Sequence, residues 1–311
     1  MGKVYRKQIL LTEDSTQAVY FLHMNRPNRK MIGWVAVIVL LLINGVVLMS
    51  SLESKTPTLR VSFLDVGQGD AILIEGPTGI QVLVDGGPDR SVVRELPKVM
   101  GPLDRTINLI VGTHTDKDHI AGLVDVLQYY QVGAYLAPDI TAETNVFDRL
   151  VAAVKEETGI ETFVARAGMR IDLGGGAYAD VLYPDRDVAH LKDKNDASIV
   201  LHVVYGETSF MLTGDLPSTL EDMLVRSLPA SALKSTVLKA GHHGSKYSTD
   251  ALWLRAVQPE IVVMSAGKGN TYGHPSKEVL ARIDTTRTEI LSTIESGTIT
   301  LVSDGKRVVQ K

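Results

Sequence analysis

The sequence predicts an α/β domain of two packed β-sheets with helices outside, preceded by one transmembrane helix. Three observations carry this. Residues 31–49 run nineteen positions without a charge. From Thr58 onward, short β-type runs alternate with segments of helical spacing, in two successive rounds. Clusters of His and Asp stand at the ends of several such runs, where strands deliver loop side chains from a rigid support.

Residues 1–30 are polar and mixed, a loose or short helical tail. The stretch MIGWVAVIVLLLINGVVLM (31–49) follows. At about 1.5 Å per residue it nearly spans a hydrocarbon core of roughly 30 Å. A cleaved signal peptide would show a shorter apolar core and small residues before the cut; Leu48-Met49-Ser50-Ser51-Leu52 matches poorly. A buried core helix is disfavoured by the linker that follows. The reading is an uncleaved anchor over 31–52, a linker over 53–57 and a folded domain over 58–311. Lys3, Arg6, Lys7, Arg26, Arg29 and Lys30 precede the span, against Lys55 and Arg60 just after it. Positive charge stays inside, so the N-terminus is expected in the cytoplasm and the domain outside the cell membrane.

Within the domain, Leu59–Val66, Ala71–Glu75 and Ile80–Asp85 read as strands with Gly-rich turns between them. Ser91–Met100 has helical spacing, Ile107–Val111 is a buried strand, and Ile120–Tyr130 is a helix with Leu123, Val124 and Leu127 inward. The second round places strands at Ala177–Tyr183, Ser198–Tyr205, Ser209–Thr213, Thr236–Ala240 and Ile261–Ser265. Helices fit Ser218–Arg226, Thr249–Val257 and Ser276–Ile283, and strands at Glu289–Thr293 and Thr298–Val302 close the chain. Two rounds of this kind suggest two sheets face to face with helices outside.

Composition removes some chemistries. The chain has no cysteine, which excludes disulfides, thiolate zinc sites and cysteine nucleophiles, and suits an oxidising compartment. Residues 53–311 hold 26 basic and 34 acidic groups, a net charge of −8. That is not the balance of an ordinary nucleic-acid-binding domain. A phosphate-bearing substrate would need a local positive centre.

The polar clusters supply one. His114-x-Asp116-x-Asp118-His119 stands between a strand and a helix, and two of the chain's eight histidines lie in it. His and Asp are nitrogen and oxygen ligands for zinc-type ions. An EF-hand reading of Asp116-x-Asp118 fails, because no Gly or bidentate Glu has the required offset. Leu212-Thr213-Gly214-Asp215 ends an apolar strand and alone reads as a turn. Lys239-Ala240-Gly241-His242-His243-Gly244-Ser245 sets paired histidines between glycines that allow close backbone approach. Asn270-Thr271-Tyr272-Gly273-His274-Pro275 also suits a plain turn. Together the clusters point to metal binding, with two ions expected. The candidate ligands are His114, Asp116, Asp118, His119, Asp215 and one of His242 or His243. Two ions about 3.5–4 Å apart clamp the attacking and leaving oxygens of a displacement.

These stretches also carry a resemblance. FLDVGQGDAILIE (63–75), VDGG (84–87), THTDKDHIAG (113–122), NDASIVL (195–201), LTGD (212–215), LKAGHHGS (238–245) and NTYGHPS (270–276) resemble the metallo-β-lactamase superfamily. More narrowly, they resemble the hydrolase domain of ComEC-type competence membrane proteins. The resemblance implies an αββα sandwich with the site at one edge. It places His114, Asp118, His119 and Asp215 at metal positions and Asp116 where many relatives have histidine. Asn195 stands near another expected metal histidine. Oxygen donors shift preference from zinc toward manganese, and both stay open. The histidine completing the second ion is ranked His242, then His243, then His274. Asp65, Gln68, Asp70 and Asp85 are read as buttresses, with turn and cap roles equally good for Gln68 and Asp70. Lys239, Ser245 and Tyr272 are candidate phosphate contacts.

The expected function is a membrane-anchored phosphodiesterase or nuclease of the ComEC-like type, with single-stranded DNA as a possible substrate. Asp118 orients the attacking water or takes its proton, and His243 or His274 assists the leaving oxygen. Alternatives are hydrolysis of a lactone, a β-lactam or an envelope phosphoester, or a non-catalytic metal-stabilised partner of an uptake or envelope complex. With one expected span in place of the many that form a channel, the chain is expected to be a tethered hydrolase that does not itself conduct DNA.

Overall fold

A computed structural model describes residues 33–35, 37–42, 44, 57–286 and 288–311. The chain divides into two units, Met1–Lys55 and Thr56–Lys311. In the first, the described residues are helical, and Asn44 Nδ2 donates to the Leu40 carbonyl over 2.8 Å. The expected cytoplasmic tail and much of the expected anchor lie outside the described residues. Among the described residues, no helix is long and apolar enough to cross a membrane.

The second unit is built on two sheets. The first comprises β1 (Leu59–Phe63), β2 (Ile72–Glu75), β3 (Gln81–Val84), β4 (Thr106–Val111), β5 (Gln131–Ala137), β6 (Glu161–Val164), β14 (Ile299–Ser303) and β15 (Val308–Gln310). Its spatial order is β15-β14-β1-β2-β3-β4-β5-β6. The second comprises β7 (Arg170–Gly174), β8 (Ala177–Tyr183), β9 (Val200–Tyr205), β10 (Thr208–Leu212), β11 (Val237–Lys239), β12 (Ile261–Met264) and β13 (Glu289–Ser292). Its order is β13-β12-β11-β10-β9-β8-β7.

Side chains alternate across each strand, and both faces are covered. Ile72 and Ile74 point between the sheets, where they share a core with Leu201, Val203 and Phe210; Leu73 points the other way. Outside the first sheet pack α1 (Ser91–Met100), α2 (Lys117–Tyr129) and α3 (Asn145–Glu156), through Leu96, Leu123, Val126 and Leu150. Outside the second lie α4 (Ser218–Ser227), α5 (Ala230–Leu233), α6 (Ala251–Val257) and α7 (Lys277–Asp284), through Leu224, Leu233, Trp253 and Val279. The result is the αββα sandwich. A short α8 (Thr293–Ser296) follows β13.

Two differences from the sequence reading bear on the site. Helix α2 begins at Lys117, not Ile120, because Asp116 takes the extended N-cap conformation. Asp118 and His119 therefore project from a helical first turn rather than a loop. Residues 131–176, where the sequence pattern predicts no element, fold as β5, α3, β6 and β7. Strand β6 is an edge strand with every residue exposed, so it carries no alternating burial to read.

β3 and β4 run parallel in register (Val84 beside Val111), as do β10, β11 and β12 (Met211 beside Leu238, Lys239 beside Val263). The loops leaving them carry the His and Asp clusters. Ile199 N donates to Thr113 O over 3.0 Å, joining the second sheet to the His114 loop.

Candidate metal centre

Asp85 follows β3 with φ at +59°, a left-handed conformation uncommon outside glycine. Its buried carboxylate organises one half of the centre. Oδ1 accepts from Thr113 N (2.7 Å). Oδ2 accepts from Thr113 Oγ1 and from His119 Nδ1, each at 2.7 Å. His114 Nδ1 donates to Thr113 Oγ1 over 3.0 Å. One carboxylate thus fixes His119 directly and His114 through a hydroxyl. With Nδ1 protonated by this network, both rings offer Nε2 as a lone pair.

The other half comes from the second sheet. His243 Nδ1 donates to Ser265 O over 3.0 Å, which turns Nε2 toward the first half. That Nε2 lies 3.3 Å from Asp118 Oδ2 and 3.5 Å from Asp215 Oδ2. His119 Nε2 lies 3.3 Å from Asp215 Oδ1, and His242 Nε2 is 3.6 Å from Asp215 Oδ2. Donors held at about 2.0–2.2 Å around one tetrahedral zinc-type ion sit roughly 3.3–3.6 Å from each other. His114 Nε2 faces Asp116 Oδ2 at 3.8 Å.

Two properties show that these residues fit divalent cations. First, Nε2 of His114, His119 and His243 and Oδ1 of Asp215 are buried with no hydrogen-bond partner. Each such group costs about 1–3 kcal/mol unless something satisfies it. Second, Asp85, Asp116, Asp118 and Asp215 each lie against one or more of the rings of His114, His119 and His243, while the Lys239 ammonium contacts Asp70 and lies 3.8 Å from Asp215 Oδ1. With the histidines neutral, as metal ligands must be, five ionised carboxylates and one ammonium leave four surplus negative charges; with His119 and His243 protonated, two remain. Protonation follows the same surplus. Burial opposes charge on His243, but Asp215, Asp70 and Asp118 outweigh it and raise its pKa to about 9. His119 rises well above the usual imidazole range, as Asp215 and Asp85 overcome its burial. At His114 burial and the charge on His119 prevail, and its pKa falls to about 3.

Asp70, His119, Asp215 and His243 place ligand atoms within 4.8 Å of one another. Asp70, however, faces the Nδ1 edges, 3.4 Å from His243 and 3.9 Å from His119. Its closest partner is the ammonium of Lys239. Gly69 allows this approach: a Cβ there would stand 2.2 Å from Asp118 O.

His242 and His243 have φ of +49° and +56°. Left-handed backbone at two non-glycine residues costs on the order of 1 kcal/mol each and persists only where the surroundings impose it. The bracing runs to α4. Gly241 N donates to Thr249 Oγ1 (2.8 Å), and Thr249 N and Asp250 N donate to the two oxygens of buried Glu221 (2.7 and 3.1 Å).

The fold therefore gathers His114, Asp116, Asp118, His119, Asp215, His242 and His243 at one edge. His274 stands at the rim, its ring 5.6 Å from that of His242 and its Nδ1 buried without a partner. Asn195 opens a short 3-10 turn, with Oδ1 buried and unpartnered. Gln68 Oε1 accepts from Gly267 N (3.1 Å), and exposed Asp65 accepts from Gly67 N (3.3 Å) in a turn. Lys239 and Ser245 are buried, so neither meets solvent as the phosphate-contact reading requires. The central part of Asp85 was not legible beyond a buttress. Its signal is an acid placed directly after an all-buried strand.

Two facing sheets with helices outside and a His/Asp centre at one edge define a class, and the chain belongs to it: the metallo-β-lactamase superfamily, whose model matches residues 64–268. It is a metal-dependent hydrolase of that fold. Among curated relatives it is 30% identical to "ComE operon protein 3" of Bacillus subtilis over 258 residues, covering 77% of this chain and 32% of the relative. It is 28% identical to "Recombination protein 2" of Haemophilus influenzae, covering 79% and 29%. The chain thus spans about a third of the length of these relatives. Among solved structures, Igni18, a metallo hydrolase from Ignicoccus hospitalis, superposes with a TM-score of 0.52 at 15% identity, covering 78% of this chain and 98% of its own.

Proposed function

We propose that the protein is a membrane-tethered phosphodiesterase that cleaves single-stranded DNA outside the cell membrane with two divalent ions, manganese or zinc. The observation that carries this is the set of buried, unpartnered Nε2 atoms of His114, His119 and His243 facing the carboxylates of Asp116, Asp118 and Asp215. Divalent ions there would offset the buried carboxylates and, when bound, polarise a phosphate and make water nucleophilic near neutral pH. Asp118, His119, Asp215 and His243 would hold one ion. His114, Asp116 and Asp215 would contribute to the other, where the oxygen of Asp116 favours manganese. Asp118, a third exposed, accepts the proton of the attacking water. His274, at the rim, delivers one to the leaving oxygen. The names of the competence and recombination relatives support DNA as the polymer. The uncharged stretch 31–49 and its basic N-terminal flank support the tether and its orientation.

The test uses the full chain in detergent, loaded with manganese or zinc. Hydrolysis of single-stranded DNA, bis-p-nitrophenyl phosphate and a lactone is compared. Cleavage of the first two is expected. Cleavage of the lactone alone would refute the nuclease reading, and inactivity on all three would favour a binding role.

A further inference from the structure

We propose that Tyr272 is a stacking platform for an unpaired nucleobase beside the scissile phosphate, an inference that rests on the phosphodiesterase reading above. Six aromatic rings run in series from the metal centre to the surface. Successive centroids are 4.1 Å apart for His114–His119, 5.2 Å for His119–His243 and 6.0 Å for His243–His242. The series continues with 5.6 Å for His242–His274 and 5.8 Å for His274–Tyr272. Exposure rises along it. His114, His119 and His243 are buried, the His242 side chain is 32% exposed, and Tyr272 is 71% exposed. Solvent reaches the centre at Asp116 and Asp118, 47% and 32% exposed, and along the His242–His274 end, where the rings offer a polymer substrate an aromatic path.

The Tyr272 ring lies 25° from the plane of His274, so one face is supported. Its loop is clamped. Asn270 Nδ2 donates to Gly267 O (2.9 Å) and His274 O (2.6 Å), and Asn270 Oδ1 accepts from His274 N (3.0 Å). A braced aromatic loses little conformational entropy when a second flat group covers it. Exposed Lys268 lies in the same loop; exposed Lys246, its Nζ 5.1 Å from the ring of 65% exposed Tyr247, follows Gly244, whose carbonyl accepts from Ser276 N over 2.9 Å. Cations interleaved with exposed aromatics suit sequence-tolerant binding of single strands, because every base has a π-face. A lactone has no such face to offer.

The test measures kcat and KM of the full chain, manganese-loaded in detergent, on a thymidine oligonucleotide and on the same strand with abasic spacers flanking one cleavable phosphate. Wild type should favour the thymidine strand. Tyr272→Ala should raise KM for that strand roughly tenfold and change the abasic KM little, with metal content and Tm retained. Tyr272→Phe should match wild type. Equal losses on both strands, no loss on either, or a Tyr272→Phe as impaired as Tyr272→Ala would overturn the platform while leaving the phosphodiesterase reading intact. A wild type that cleaves neither strand would remove both.

Discussion

His242 and His243 are adjacent, identical in chemistry and both left-handed, yet their imidazoles differ in surroundings. His243 is buried, tied through Nδ1 to Ser265 O, and faces Asp118 and Asp215 with Nε2. His242 is a third exposed and meets only one oxygen of Asp215 closely. His243→Gln should weaken manganese or zinc binding by more than roughly 100-fold, and His242→Gln by less than about tenfold. Competition with a chromophoric chelator measures both, and a reversed order would show that the exposed ring is the ligand. The sequence reading ranks His242 first, ahead of His243 and His274. Consecutive residues diverge according to backbone angles, and those are imposed by Thr249, Glu221 and the packing of Gly244 on Pro275.

At the next level up, α4 acts on the centre without touching it. Glu221 is fully buried and accepts from the two amides at the start of α6, in the same network that holds Gly241. Burial raises its pKa from the usual 4.5 to about 8, against the pull of those two amides. A carboxyl with a raised folded pKa binds its proton more tightly folded than unfolded. Its contribution therefore favours the folded state at low pH and is lost as pH rises from about 4.5 through about 8. Glu221→Gln cannot ionise. The stability of wild type relative to this variant should fall with rising pH across that window, as read by chemical denaturation at several pH values. A flat difference would mean that Glu221 is charged throughout. Helix α2 makes a related point about legibility: its apolar stripe was readable from Ile120, but its start at Lys117 depends on Asp116, whose N-cap role competed with its reading as a ligand.

Across the whole domain, the two sheets divide the centre. The first supplies Asp85, His114, Asp116, Asp118 and His119; the second supplies Asp215, Lys239, His242 and His243. A cation bound between them staples one sheet to the other and relieves the repulsion among buried carboxylates. Saturating manganese or zinc at about 100 times Kd should stabilise the fold by about 2.7 kcal/mol. For a domain of this size that is a Tm shift of roughly 5–10 °C, lost on chelation and restored by adding the metal back. A Tm indifferent to both treatments would contradict a shared centre.

Local sequence was enough for the layered α/β class, the strands that carry the clusters and the identity of most metal-seeking side chains. Hydrophobic period and strand-end polarity are short-range properties that survive without knowledge of partners. Which ring edge each histidine presents, which carboxylates orient and which face the lone pairs, and that Lys239 is sealed inside while Tyr272 stands open, were settled only by tertiary packing. They depend on contacts between separate loops, from His243 against Ser265 and His119 against Asp85 to Asp70 against Lys239 and Gln68 against Gly267, and no local pattern encodes them.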